Sequence, residues 1–227
     1  MLAVTDAWKA AYPEAVVGIL AMRCVVNPDH HAELDTRKAQ LESELRARFA
    51  SHDRAALKSL PVIRAYNDYY KRFGKSYHVQ LQLESIVHKG KSIPRVAALV
   101  ECMFMAELKN QLLTAGHDLD SLEMPVSIDV ATGDENYTRI NGTDQQMKPC
   151  DMMISDARGI ISSVIYGPDQ RTRITPETTR VLFTVYAPPG IESDVVRLHL
   201  QDIQTTVLVV APDAHIISLE VQVAELI

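Results

Sequence analysis

The sequence predicts an α+β fold in which helices come first, a mostly antiparallel β region follows, and a helix and a strand complete the chain. Between residues 31 and 114 the apolar side chains recur mostly at spacings of three, four and seven, which are typical of helices. After Gly116 the pattern changes to short β-type runs separated by Gly, Pro, Asn and Asp. Helices gathered before a run of strands indicate an α+β protein rather than a doubly wound sheet, in which the two alternate.

The first half of the chain is predicted to hold one strand among several helices. A short helix over residues 5–12 precedes a β-branched apolar run at 15–26, which indicates a buried strand. Asp29 is the expected cap of the next helix, and Gly90 is expected to end a later one. These further helices are expected at residues 31–49, 62–73, 79–89 and 94–114. The last of them is apolar over a wide arc, so we expect it to be the central buried helix.

The second half is predicted to hold five short strands before the final helix and strand. The five strands are expected at residues 126–130, 137–140, 152–155, 160–166 and 181–186. Asn141-Gly142 is a strong signal for a hairpin turn between two of these segments. A helix at 193–208 and a strand at 216–222 follow. No repeat or low-complexity segment divides the chain, and we expect a single domain over residues 1–227.

Composition predicts a soluble, cytoplasmic protein that needs no cofactor or metal. The N-terminal residues do not resemble a signal peptide, and the longest apolar stretches are too short to cross a bilayer. The three cysteines are widely spaced without a CxxC pattern, which favours buried free thiols over disulfides or zinc. The sequence contains no Walker A loop, dinucleotide fingerprint, GxSxG or HExxH motif, which disfavours kinases, dehydrogenases, serine hydrolases and zinc proteases.

One stretch, residues 64–95, is basic although the whole chain has a formal net charge of −6. The overall charge argues against a general nucleic-acid binder, and DNA is not an expected partner. Two interpretations of the basic stretch are open: a solvated helical face, or a local patch that faces phosphates. Its cations are Arg64, Lys71, Arg72, Lys75, Lys89, Lys91 and Arg95.

Several motifs between residues 66 and 185 together carry a family resemblance. An aromatic-rich helix ends in Phe73-Gly74-Lys75-Ser76, and the next ends in Lys89-Gly90-Lys91. After Ile93-Pro94 and the long apolar helix come Gly116-His117-Asp118-Leu119-Asp120, a turn-rich β region and a threonine cluster at 175–178. This order resembles the freestanding B3/B4 proteins and, more distantly, the tRNA-editing B3/B4 module of the phenylalanyl-tRNA synthetase β chain.

The resemblance implies a trans-editing aminoacyl-tRNA deacylase with a B3/B4-like fold. Such a protein binds the acceptor end of a mischarged tRNA and hydrolyses the aminoacyl ester, and the cations of residues 64–95 would hold the tRNA. Ester hydrolysis requires only a positioned water and hydrogen-bond donors that face the developing oxyanion. The alternative is a non-catalytic descendant that binds an amino acid, another small ligand or a protein partner. A third possibility is an unrelated hydrolase that uses His117 with Asp118.

The resemblance also implies which residues form the site. His117 lies close to the family's histidine, and His117 and Asp118 are the catalytic candidates, because histidine exchanges protons near neutral pH. The alternatives are a loop histidine bonded to backbone carbonyls and an aspartate that caps a turn. Glu101 and Phe104 occupy positions of the long helix where the family presents an acidic residue and an Asn. The substrate-binding candidates are Glu101, Phe104, Thr175, Thr178 and Thr184. Thr184 falls where the synthetase has a glutamate that recognises the tyrosine hydroxyl, so specificity for tyrosine is not expected.

Overall fold

The computed structural model describes residues 1–225, which contain seven helices and eleven strands. The helices are α1 (Asp6–Ala11), α2 (Ala32–Arg48), α3 (Arg54–Ser59), α4 (Pro61–Lys71), α5 (His78–Lys89), α6 (Ala98–Asn110) and α7 (Ser193–Val210). The strands are β1 (Leu2–Val4), β2 (Val16–Arg23), β3 (Thr114–Asp118), β4 (Val126–Val130), β5 (Asn136–Thr138), β6 (Asp144–Gln146), β7 (Met152–Asp156), β8 (Gly159–Ser163), β9 (Gly167–Pro168), β10 (Arg180–Ala187) and β11 (His215–Val223).

The strands form two sheets and a separate hairpin. One sheet is antiparallel throughout, with the order β11–β2–β10–β3. The other has the order β1–β4–β7–β8–β9, in which only the β1–β4 pair is parallel. Strands β5 and β6 form the hairpin predicted around Asn141-Gly142, and Gly142 has the positive φ (82°) that such turns require. Apolar side chains from both sheets join in one continuous core.

Helix α7 covers the four-stranded sheet and packs against α6 and α2. Its approach to β2 is close because Gly18 has no side chain: a Cβ at that position would lie 2.6 Å from Cγ1 of Val196. A larger residue at Gly18 would push α7 away from the sheet. This contact fixes the distance between α7 and strands β2 and β10. Helix α6 packs beside α7 and contacts strand β3.

Buried tyrosines of α4 and the following turn fix the backbone of neighbouring elements. The Tyr66 hydroxyl donates to the Tyr186 carbonyl (2.5 Å) and accepts from the Leu113 backbone N–H (3.0 Å). The Tyr70 hydroxyl donates to the Val164 carbonyl, and that of Tyr77 donates to the Gln111 carbonyl, both at 2.8 Å. The aromatic stripe predicted in this region is therefore core, and each of these hydroxyls satisfies backbone groups that would otherwise be buried without partners.

The predicted α+β class is confirmed, and most predicted elements occur within a few residues of their expected bounds. The main error concerns the long helix expected at 94–114. It ends at Asn110 because Gln111 adopts a left-handed conformation (φ 61°), and Thr114 already begins strand β3. The expected Asp29 cap is also wrong, since the His31 side chain accepts the capping hydrogen bond from the Leu34 N–H. The strand expected at 160–166 ends at Ser163, and β1, β3, β6, β9 and α3 were not predicted.

Two further properties of residues 1–225 bear on the class of protein. Within them no helix is both long enough and apolar enough to cross a membrane. The cysteines are free, but only Cys102 is buried; the prediction of burial is wrong for Cys24 and Cys150. Both of these lie exposed in turns, where their φ angles are positive (58° and 67°).

Candidate functional site

A cavity of about 390 Å³ lies between helix α6, the start of β3 and the β8–β9 connection. Val100, Met103, Phe104 and Glu107 line it from α6, because their spacing places them on one face of the helix. The other walls come mainly from residues 113–116 and 162–168. Most of the lining is apolar, and the volume lies in the range of cavities that bind small molecules.

Glu107 is the buried carboxyl group among the residues that line this cavity. It is only 2% exposed and accepts a hydrogen bond from the Thr114 N–H through Oε1 (2.8 Å). Within residues 1–225 its Oε2 has no hydrogen-bond partner and no cation pairs with the carboxylate. Burial raises the pKa of Glu107 to about 8, and the Thr114 N–H offsets this only in part. The carboxyl is therefore mostly protonated at pH 7 and becomes a base in the slightly alkaline range.

Several buried hydroxyls line the cavity, and two of them, those of Ser162 and Thr114, have surroundings that bear on its chemistry. The Ser162 Oγ is fully buried and has no hydrogen-bond partner among residues 1–225. The Thr114 Oγ1 lies 2.7 Å from Nε2 of His199, a distance that also suits a nucleophile and its base. Burial lowers the pKa of His199 to about 3, so this imidazole is a weak base. The arrangement suits Thr114 as a fixed hydrogen-bonding group rather than as an activated nucleophile.

The mouth of the cavity is aromatic and positively charged. Tyr166 lines it, with the Lys75 Nζ 5.9 Å and the Arg139 Cζ 6.0 Å from the centre of its ring. The Arg139 Nε donates to the Tyr166 carbonyl (3.2 Å), which holds the guanidinium beside the ring. Neither cation pairs with a carboxylate in the part of the chain that the structure describes. The interior is thus weakly polar and the entrance carries uncompensated positive charge.

Two other cavities are lined by residues between 78 and 175, and one of them borders the main cavity. A largely apolar cavity of about 340 Å³ between α5, α6 and residues 91–94 shares His78 and Phe104 with it, so these two side chains form the partition. A more polar cavity of about 530 Å³ is lined by β5 and by Arg158, Arg171 and Thr175 among others, and it shares no lining residue with the main cavity. Arg171 is already bound to Asp156 through two hydrogen bonds of 2.9 Å.

His117, the catalytic candidate, is fully buried in β3 and does not line the cavity. The alternative of a loop histidine is wrong, because this segment is a strand paired with β10. The His117 Nδ1 lies 2.7 Å from the Thr172 Oγ1, and the Thr172 hydroxyl donates a hydrogen bond to Asp169. The His117 Nε2 has no hydrogen-bond partner within residues 1–225. Burial, with a smaller effect of the nearby Arg171 charge, lowers the pKa of His117 to about 3. A neutral imidazole without solvent access is not placed to exchange protons with a ligand in the cavity.

The other predicted site residues are mostly engaged with the protein itself. Asp118 accepts from the Asp120 N–H and from the Thr178 hydroxyl, so it caps the turn after β3. Glu101 is buried beside Lys38 (2.5 Å) and accepts from the Val96 N–H. Thr184 is fully buried in β10 and lies outside the cavity wall. Of the five substrate-binding candidates, Phe104 lines the main cavity and Thr175 lines the polar cavity.

The cations predicted to bind tRNA have different surroundings. Arg72 lies over the ring of Tyr12 (5.2 Å), and Arg95 pairs with Asp35 (2.9 Å). Lys75 lies over the ring of Tyr166 (5.9 Å), and Lys91 lines the apolar cavity next to the main one. Arg64, Lys71 and Lys89 are exposed. None of the seven cations lines the main cavity itself, and Lys75 contacts its wall only through Tyr166.

Sequence reasoning missed Glu107, Thr114, Ser162, Arg139 and Tyr166 as site residues. Glu107 had a usable signal, because it follows Phe104 by three residues and Val100 by seven on an otherwise apolar helix face. Of the remaining four, Thr114 lies in β3 and Ser162 in β8, while Arg139 and Tyr166 lie in the β5–β6 and β8–β9 connections, so only the tertiary fold brings them together.

Comparison with known proteins identifies the family. Residues 65–206 match the family model of the B3/4 domain. Among solved structures, an N-terminal fragment of the phenylalanyl-tRNA synthetase beta subunit from Pyrococcus horikoshii is similar, with 12% identity and a TM-score of 0.49. The similarity covers 95% of this chain and 50% of that fragment, so the chain spans about half of the fragment's length. No curated protein matches the chain. Because the family model spans more than half of the chain, the protein belongs to the B3/4 domain family.

Proposed function

We propose that this protein is an aminoacyl-tRNA deacylase that holds the aminoacyl group in the main cavity and hydrolyses its ester bond. The observation that carries the proposal is the cavity of about 390 Å³, with apolar walls and with Glu107, Thr114 and Ser162 at its buried end. Membership of the B3/4 domain family supports it, together with the resemblance to the editing module described above. The proposal includes a cytoplasmic location. It also includes a single domain over residues 1–227, and the continuous apolar core supports this part.

The chemistry of ester hydrolysis fits these side chains. Water attacks the carbonyl carbon, the bond from that carbon to the ribose oxygen breaks, and a proton from the water passes to the leaving oxygen. In the proposal the ionised Glu107 takes the proton from the water, and the hydroxyls of Thr114 and Ser162 donate to the developing oxyanion. A base with a pKa of about 8 suits this role, since it combines proton affinity with a sizeable ionised fraction near neutral pH.

The test is deacylation of a panel of labelled aminoacyl-tRNAs by wild type, Glu107→Gln and His117→Ala. We expect turnover of one or a few species, with a rate that rises with pH towards a plateau above about pH 8. Glu107→Gln should lose on the order of a hundredfold or more in kcat. Glu42→Gln, the same change at a buried glutamate of α2, is the matched control and should stay active if folded. Full activity of Glu107→Gln would refute the role of Glu107.

His117→Ala distinguishes the proposed site from the one predicted by sequence. His117 is fully buried away from the cavity, so the variant should lose stability but keep its pH–rate profile. Loss of turnover in a folded His117→Ala protein, with Glu107→Gln active, would instead favour the His117–Asp118 site.

The second candidate function is binding without catalysis. It is favoured by the position of Phe104, whose ring occupies the wall where the family resemblance implies an Asn, and by the weak basicity of His199 beside Thr114. Saturable binding of a free amino acid or its ester, without turnover of any aminoacyl-tRNA, would establish this alternative.

A further inference from the structure

The apolar cavity of about 340 Å³ beside the main cavity has a definite chemical character. Ile86 and Leu108 line it together with Leu81, a large apolar side chain that is 40% exposed. The lining also includes one lysine and four other polar residues: Lys91, His78, Gln82, Ser85 and Ser92. Among residues 1–225 no Asp or Glu lines it. A cavity of this size and composition suits a small ligand with an apolar body and an anionic group.

Lys91 supplies the positive charge of this cavity. Gly90 ends helix α5 in a left-handed conformation (φ 64°), and the Lys91 N–H then donates to the Ser85 carbonyl (3.1 Å). This turn places the exposed Lys91 beside the last turns of α5. The Lys91 Nζ forms no ion pair and no hydrogen bond within residues 1–225. Its charge is therefore available to a carboxylate on the ligand.

The walls of the apolar cavity are anchored to helix α2. The Arg46 guanidinium donates to the carbonyls of Ile86 (3.3 Å) and Lys91 (3.1 Å). The Glu42 Oε1 accepts a hydrogen bond from the Ile93 N–H (2.7 Å). These bonds hold the end of α5 and residues 91–93 in place, so a ligand would bind here with little further ordering of the backbone.

The two side chains of the partition between the cavities are held differently. The His78 ring packs edge-on against Tyr70 and Tyr77, with ring centres 6.2 and 5.8 Å apart. Within residues 1–225 the Phe104 ring pairs with no other aromatic ring, and it has a cavity on each side. Phe104 is therefore the part of the partition that has room to turn towards either cavity.

We propose that the apolar cavity is a second ligand site, for a small apolar carboxylate, and that its occupation limits the size of the ligand that the main cavity admits. The apolar body would lie against Leu81, Ile86 and Leu108, and the carboxylate would pair with Lys91. A ligand there fills the space into which Phe104 turns when a large group enters the main cavity. The second site stands independently of the proposed function, whereas the limit on size rests on it.

The first experiment measures binding by isothermal titration calorimetry. The probes are cyclohexylacetate and its neutral isostere cyclohexylacetamide. We expect one saturable site for each, with the carboxylate about two- to fivefold tighter, because an exposed ion pair contributes up to roughly that factor. Raising the salt concentration should remove most of this preference.

Variants locate the site. Ser85→Phe fills the apolar cavity from α5 and should abolish measurable binding of both probes, whereas Val100→Phe narrows only the main cavity and should leave it unchanged. Lys91→Gln should remove the preference for the carboxylate and retain binding of the amide. Lys89→Gln is the matched control, because Lys89 is exposed two residues away but does not line the cavity. It should bind both probes like wild type.

The second experiment tests the limit on size with a large and a small ligand for the main cavity, tryptophanamide and alaninamide. Saturating cyclohexylacetate should weaken binding of tryptophanamide and leave that of alaninamide unchanged. Tryptophanamide should weaken binding of cyclohexylacetate by the same factor, since coupling between two sites is reciprocal.

Each failure has its own meaning. Unchanged binding of the probes to folded Ser85→Phe, or displacement of cyclohexylacetate by both amides alike, would place the carboxylate in the main cavity and overturn the second site. Equal affinity for the two probes would overturn the role of Lys91. Failure of both amides to bind would overturn the limit on size together with the proposed place of the aminoacyl group. Failure of cyclohexylacetate alone would overturn the second site and leave the proposed deacylase intact.

Discussion

Replacing Glu107 by Gln should stabilise the protein in a pH-dependent way. Burial raises the pKa of Glu107 from its ordinary value of 4.5 to about 8, so the folded protein holds this proton more tightly than the unfolded chain. The contribution of Glu107 to the unfolding free energy is therefore fully present below about pH 4.5 and is lost as the pH rises through about 8. Gln is a neutral isostere of the protonated acid and still accepts from the Thr114 N–H.

The magnitude follows from the pKa. Each pH unit between 4.5 and about 8 removes about 1.4 kcal/mol of unfolding free energy from the wild type but not from Glu107→Gln. The variant should therefore equal the wild type near pH 4.5 and exceed it by up to about 4 kcal/mol at pH 7.5. The most informative window is about pH 7 to 8, because there His117 and His199, with pKa values of about 3 in the folded protein and 6.5 ordinarily, are mostly neutral in both the folded and the unfolded state.

Urea denaturation of both proteins across this pH window is the assay. We expect a falling profile for the wild type and a nearly level one for Glu107→Gln. Glu101→Gln is the contrasting control, because Glu101 is buried beside Lys38, and its neutralisation should destabilise the protein by about 2 kcal/mol or more. Parallel profiles for wild type and Glu107→Gln would show that the Glu107 carboxyl titrates normally, and the proposed base would then lack its elevated pKa.

Two other substitutions test the cavity wall. Phe104→Ala should join the main cavity to the apolar cavity beyond it and shift the preference towards larger amino acids, as measured by binding of a size series of aminoacyl amides. An unchanged size preference would show that Phe104 does not limit the cavity. Thr114→Val should lower kcat about a hundredfold and destabilise the protein by roughly 1–3 kcal/mol, because it removes a proposed oxyanion donor and leaves His199 without this partner. Thr114→Ser should restore most of both losses, and failure of Ser to restore turnover would argue against a role for the hydroxyl.

The fold was more predictable from sequence than the site. Apolar periodicity located α2, α4, α5 and α7 because each buries a continuous face. It failed at residues 111–114, where the end of α6 depends on a left-handed Gln111 and on a carboxylate seven residues before Thr114. No local signal marks that combination, since apolar residues continue through Leu112 and Leu113.

The predicted site failed for a related reason. His117 was chosen because it lies close to the histidine of the resembling family and because histidine exchanges protons near neutral pH. In the fold, strand alternation turns its side chain towards Thr172, while Gly116 beside it lines the cavity. Residue type indicated the chemistry, but accessibility depended on strand register, which is set by the pairing of β3 with β10.

The tyrosine hydroxyls that bind the carbonyls of Gln111, Val164 and Tyr186 act on the backbone of three cavity-forming segments at once. These hydrogen bonds hold the backbone of the three segments in place whether or not a ligand is bound. The backbone around the cavity is consequently preorganised, and the protein loses little conformational entropy when a ligand binds. Its selectivity resides in side chains that project from fixed backbone, such as Phe104, so exchange of a single side chain can alter what fits without altering the fold.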